Sequence, residues 1–174
     1  QVAEHTMEGA TGVNRWVWDL RHAQSSRSGT GPLVVPGTYT VRGSMGSASA
    51  ERTVEVREDP RLDFEPSARS QWTATLLEVW GSRSVARTLS DDVGAQADRL
   101  DADTDRLDVD AATEEVLRDL ARKTGELSSR LNRLYDSIQS WIGPLSADQD
   151  GQRRFLTEML GKLREEWEAS EGHF

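Results

Sequence analysis

Hydrophobic residues follow two different periods along this chain. In Val13 to Arg21, Trp16, Trp18 and Leu20 alternate with Val17 and Asp19, the period-two pattern of a strand with one strongly apolar face. The small and polar residues from Ser25 to Gly31 mark a turn-rich stretch, and Pro36-Gly37 supplies a tight turn before the β-prone run Thr38-Tyr39-Thr40-Val41. Gly43 to Ser49 reads as a small-residue loop, and Arg52-Thr53-Val54-Glu55-Val56 as a third strand that pairs with the second as a hairpin. Three strands do not close a sandwich, so the missing ones are expected upstream of Gln1.

From Ser67 onward the period changes. Trp72, Leu76, Val79 or Trp80, Leu89, Val93, Ala97 and Leu100 recur at steps of three and four, as one face of a helix requires, with a kink or break expected near Gly81 and Gly94. Leu120, Thr124, Leu127, Leu131, Leu134, Ile138 and Trp141 form a heptad-like seam, which the Gly143-Pro144 pair is expected to end. Ser146 and Gln149 have the spacing of a capping box and open a third helix with the face Leu156, Met159, Leu160, Leu163 and Trp167. The expected fold is α+β: a β-rich segment over residues 1–61, then an antiparallel bundle of about three helices over residues 62–174.

Charge sharpens that boundary. Residues 1–61 hold 7 basic and 7 acidic side chains, and residues 62–174 hold 14 and 23, so the whole net charge of −9 belongs to the second part. This balance repels phosphate backbones and anionic headgroups and argues against nucleic-acid or membrane-surface binding. No run approaches the roughly 20 apolar residues that cross a bilayer. Having no cysteine, the chain has neither a disulfide framework nor a thiolate site. With Gln1 first and no leader after it, the sequence is expected to be a piece of a longer protein.

Candidate chemistry is sparse. Trp16 and Trp18 on one strand face would give either a stacking platform for a sugar ring or sheet core, and the area each buries favours core. Asp19 and Arg21, two residues apart, are expected to make an ion pair or a turn contact in preference to acid/base chemistry. Alternating Asp101, Asp103 and Asp105 imitate the opening of a calcium loop, but Arg106 stands where glycine is required and Ala112 where a glutamate should be, so a solvated connection is expected there. His5, His22 and His173 have no spacing that gathers them into a metal site. Gly43 and Gly46 lack the lysine and following helix of a phosphate loop.

The run Gly12-Val13-Asn14-Arg15-Trp16-Val17-Trp18-Asp19-Leu20-Arg21, with Pro36-Gly37-Thr38-Tyr39-Thr40-Val41-Arg42 and Val54-Glu55-Val56 leading to Asp59-Pro60-Arg61, resembles the tail of bacterial sortilin-like β-propeller proteins, often labelled BNR-repeat glycosyl hydrolases. Leu131-Asn132-Arg133-Leu134-Tyr135 and the Gly143-Pro144-Leu145 turn extend the likeness into the helices. The resemblance implies a partial immunoglobulin-like β-sandwich of the hook-capping type followed by helices, in an extracytoplasmic (periplasmic or secreted) setting. It implies a non-catalytic accessory module that packs against an upstream propeller, and the heptad seam offers the helices to that propeller or to another copy of the chain. The alternative is a part of a hydrolase in which Trp16, Trp18, Asp19 and Tyr39 help line a carbohydrate- or peptide-binding cleft. No catalytic residue, metal or cofactor is assigned.

Overall fold

The computed structural model describes residues 1–23, 30–62, 65–102 and 111–170. It is α+β: a two-stranded antiparallel sheet of β1 (Gly37–Met45) and β2 (Ala48–Val56), then α1 (Pro66–Ala102), α2 (Ala111–Gln139) and α3 (Ala147–Ser170). β1 and β2 pair without interruption from Gly37↔Val56 to Met45↔Ala48. The loop expected over residues 43–49 therefore shrinks to Gly46-Ser47, with Gly46 at φ +59° as a tight hairpin turn needs. The small residues around it pair as Gly43↔Ala50 and Ser44↔Ser49, because ladder hydrogen bonds need backbone and not side chains.

Residues 13–21, expected as a strand, form only an isolated bridge, Arg21↔Leu33. The physical reason is local. The Asp19 carboxylate accepts the Arg21 amide at 3.1 Å, and Leu20 takes the left-handed φ of +60°, which an extended ladder does not tolerate. At the bridge the two segments approach so closely that a Cβ on Gly31 would lie 2.4 Å from the His22 carbonyl oxygen. Only glycine fits there.

α1 starts at Pro66, whose fixed φ and missing N–H suit a first helical position. It runs unbroken for 37 residues, so neither Gly81 nor Gly94 interrupts it. Each glycine costs about 1 kcal/mol in a helix, and the burial of Leu76, Val79, Leu89 and Val93 along the same helix outweighs that. The seam continues through half-buried Arg83, buried Ala86 and half-buried Ser90 at the heptad steps between Val79 and Val93, and their polar or small side chains are what thinned the sequence pattern. α2 lies antiparallel to α1: Trp72 Nε1 donates to the Ile138 carbonyl at 3.0 Å, Arg83 Nε to Asn132 at 2.7 Å, and Ser90 sits beside Gly125. α2 ends at Gln139, before the expected Gly143-Pro144 stop. Trp141 accordingly leaves the seam and is 69% exposed, its indole folded over Gly143, where a Cβ would lie 2.8 Å from the ring nitrogen.

The capping box at α3 forms as expected, with the Ser146 amide donating to Gln149 Oε1 at 3.0 Å and the Gln149 amide to Ser146 Oγ at 3.1 Å. Leu156, Leu160 and Leu163 are buried, and Met159 and Trp167 pack at the margin. α3 runs back along α2, from Gln149 bonded to Ser137 to Glu166 near Lys123, and touches α1 least.

Arg69 makes the most extensive tie between the N-terminal segment and this bundle. Arg69, 5% exposed, donates to Glu58 Oε2 at 2.9 Å, to the Val34 carbonyl at 3.1 Å and to Thr73 Oγ1, with its guanidinium 4.7 Å from the Trp72 ring centre. Replacing it by alanine leaves the Val34 carbonyl and Glu58 without their donor. R69A should lower stability by about 3 kcal/mol in urea unfolding followed by tryptophan fluorescence, and E58Q, at a more exposed position, by about 1 kcal/mol.

Candidate functional site

Of the four residues singled out from sequence, Trp18 and Tyr39 are in contact, while Trp16 and Asp19 have other partners. Trp16 stacks on His5, with ring centroids 5.5 Å apart and planes 10° apart, and is 43% exposed. Trp18 turns the other way: its Nε1 donates to the Arg21 carbonyl at 2.9 Å and its ring meets Tyr39 edge-on at 5.3 Å. The two indoles thus do not form the shared platform that strand alternation predicts, because the segment carrying them is not a strand. Tyr39 is held by its own hydroxyl, which donates to the Val35 carbonyl at 2.5 Å. Asp19 accepts the Arg21 amide, so the turn contact expected for this pair is present, while the Arg21 guanidinium donates to the Gly31 carbonyl at 3.0 Å. The hydrogen bonds among these contacts all engage backbone groups.

A second polar group, besides that of Arg69, lies where the N-terminal segment meets the bundle. The Arg83 guanidinium stacks 4.2 Å from the Tyr135 ring centre while its Nε donates to Asn132, and the Tyr135 hydroxyl donates to the Thr30 carbonyl at 3.1 Å. Burial pushes the Arg83 pKa down, opposed by Tyr135 and Asp136; burial pushes the Tyr135 hydroxyl up, opposed by the nearby charges of Arg83 and Arg21. Sequence reasoning missed Arg69 and Arg83. Both occur within a helical repeat, and the only available signal was a basic residue at or next to a seam position. Trp80 Nε1, also on α1, is buried without a hydrogen-bond partner among the described residues.

Two open clefts flank the last turns of α3. One of about 370 Å³ lies against α1 between Val85, Thr88, Asp92, Arg164 and Trp167, and one of about 910 Å³ against α2 between Val116, Asp119, Lys123 and Glu166. Neither includes a residue proposed from sequence. Among the described residues no group of three or more histidine or acidic side chains could hold a metal ion. The aspartate run considered as a calcium loop lies, from Asp103 to Asp110, outside the described residues. No described helix is long and apolar enough to cross a membrane. Comparison of the chain with protein-family models, curated proteins and solved structures finds no match.

Surface charge does have a measurable consequence. Asp119 is held below its usual carboxylate range by Lys123 and Arg122, Asp150 by Arg153 and Arg154, and Glu158 by Lys162. A carboxyl depressed in the folded state contributes stability above its unfolded pKa and loses it as pH falls through the folded one. Burial lowers the pKa of His22, which acts in the same direction at higher pH, since protonation then costs more in the folded state. Thermal unfolding followed by circular dichroism should therefore show stability falling as pH drops below neutrality, and falling further below about pH 5, and 1 M salt should blunt the acid limb.

Proposed function

We propose that this chain is a non-catalytic accessory module whose β segment packs against a neighbouring domain while its helices form the outer support. The observation that carries the reading is the uncovered apolar face of the hairpin. The register puts Tyr39, Val41 and Met45 of β1 on one face with Val54 and Val56 of β2, Arg52 being the one charged residue among them, and leaves Thr38, Thr40, Arg42, Glu51, Thr53 and Glu55 on the other. Met45 is 80% exposed, and Val41 and Val54 also stand open. A two-stranded ribbon is marginal by itself, and such a face is normally covered by a second layer. The helices do not cover it, since neither strand makes substantial contact with any of them.

The covering layer we propose is an upstream β-propeller of the sortilin-like type, in line with the resemblance of residues 12–61, with the hairpin as part of an immunoglobulin-like sandwich completed by strands outside this chain. A second reading, a sugar- or peptide-binding role in a hydrolase, is favoured by the exposure of Trp16 alone. That ring already has His5 stacked on one face.

The test compares this chain with a longer one carrying the preceding domain, by limited proteolysis and size-exclusion chromatography. Residues 1–56 of the short chain should be cut first and become protected in the longer chain. Equal cleavage of that segment in both would reject the docking. Quenching of Trp16 fluorescence by oligosaccharides, abolished in W16A, would favour the second reading instead.

A further inference from the structure

A charge withdrawn from water without a counter-charge is costly, and most guanidiniums of this chain that leave water are neutralised. Among the described residues, the arginines that are buried or half-buried are Arg21, Arg69, Arg83, Arg130 and Arg153. Arg69 pairs with Glu58 at 2.9 Å, Arg130 with Glu126 at 3.9 Å, and Arg153 with Glu78 at 2.6 Å and Asp150 at 2.8 Å. Arg21 and Arg83 form no ion pair with a described residue, although the chain as a whole carries a net charge of −9.

These two exceptions lie around one ring. The Arg83 guanidinium rests 4.2 Å from the Tyr135 ring centre, and the Tyr135 hydroxyl donates to the Thr30 carbonyl at 3.1 Å. Arg21 donates through Nη1 to the next carbonyl, that of Gly31, at 3.0 Å. Their other donors are open. Asn132 takes Nε of Arg83 at 2.7 Å, which leaves both terminal nitrogens of that guanidinium, and the second terminal nitrogen of Arg21, without an acceptor among the described residues. Asp136, exposed on α2, acts on Arg83 only from a distance.

We propose that Arg21 and Arg83 bind a small oxyanion, a phosphate or a carboxylate, where the N-terminal segment meets α1 and α2. A guanidinium fits either chemistry, because two parallel N–H groups meet two oxygens of one group. Stacking on Tyr135 and the bond to Asn132 fix the Arg83 plane before the ligand arrives, so little side-chain freedom is left to lose on binding. Tyr135 is buried and its hydroxyl is already engaged with Thr30, so it positions Arg83 and does not touch the ligand. The acidic bundle repels extended polyanions, whereas a single small anion meets mainly the charges within about 10 Å, beyond which salt screens the rest. The site is independent of what covers the hairpin.

The test titrates the full 174-residue protein, labelled with 15N, with inorganic phosphate and separately with acetate, at an ionic strength held constant with sodium chloride. The Arg83 Nε–H resonance and the Thr30 and Gly31 amides should shift saturably with the anion. R83Q and R21Q should each weaken binding at least about tenfold, as loss of a charge-assisted hydrogen bond requires, while R42Q on the hairpin should leave it unchanged. Saturation by phosphate alone assigns a phosphoryl ligand, by acetate alone a carboxylate, and by both a site that reads charge and fork geometry, and each of these supports the site. Absence of a saturable shift with either anion in the unaltered chain would overturn it, and so would equal affinity in R83Q, R21Q and the unaltered chain.

Discussion

Arg69 joins the two parts of this chain. A guanidinium so deeply buried must have its donors satisfied, and three of them reach oxygens from three places: Glu58 at the foot of the hairpin, the Val34 carbonyl, and Thr73 one turn along the same helix. The planar fork fixes direction as well as distance, so the segment before β1 can sit against α1 in only one way. Trp72, beneath the guanidinium, passes the constraint on by donating to the Ile138 carbonyl near the end of α2. A second pin, from the Tyr135 hydroxyl to Thr30, sits on the other helix of the pair. Between them they hold residues 30–34 on the bundle, and Val34 is buried there.

What these pins do not reach behaves differently. Beyond Val35 the hairpin extends as a ribbon with both faces largely open, held by its ladder and by surface pairs such as Arg42 with Glu51. Surface pairs of this kind contribute little. The N-terminal segment is fixed at Arg21 to Ala23, where the Ala23 amide also donates to the Val2 carbonyl, and by Trp18 on Tyr39. The molecule thus combines a bundle with a continuous buried core and a β part whose apolar residues stand mostly open. That contrast is the basis of the accessory role proposed for the chain.

The helices were legible in the sequence because a heptad is a local pattern. Leu127, Leu131, Leu134 and Ile138 announce one face by spacing alone, and Ser146 with Gln149 announces the start of α3 by chemistry that needs only a single turn. The pattern failed where seam positions are filled by residues that are not apolar. Arg83 and Ser90 look like breaks in an isolated helix and are tolerated only because α2 supplies Asn132, Tyr135 and the small Gly125 opposite them. Trp141 shows the converse, an apolar residue at correct spacing that the earlier end of α2 sends to the surface.

The candidate site was the least legible, since alternation states which residues would share a face if the segment were paired, and pairing is not a local property. Trp16 and Trp18 alternate as strand residues do, yet without a neighbour on both sides the Asp19 side chain captures the Arg21 amide and the backbone turns. The sequence by itself determined the α+β order, the seam of α2, the cap of α3 and the concentration of negative charge beyond residue 61. Only the tertiary structure decided that α1 is continuous, that Arg69 is buried and Arg83 lies half-buried against Tyr135, that Trp16 and Trp18 make different contacts and that the hairpin face is bare. The physical reason is range: helix periodicity and caps are set within about four residues, whereas burial of a cation, completion of a sheet and the fate of an indole depend on residues brought together from far along the chain.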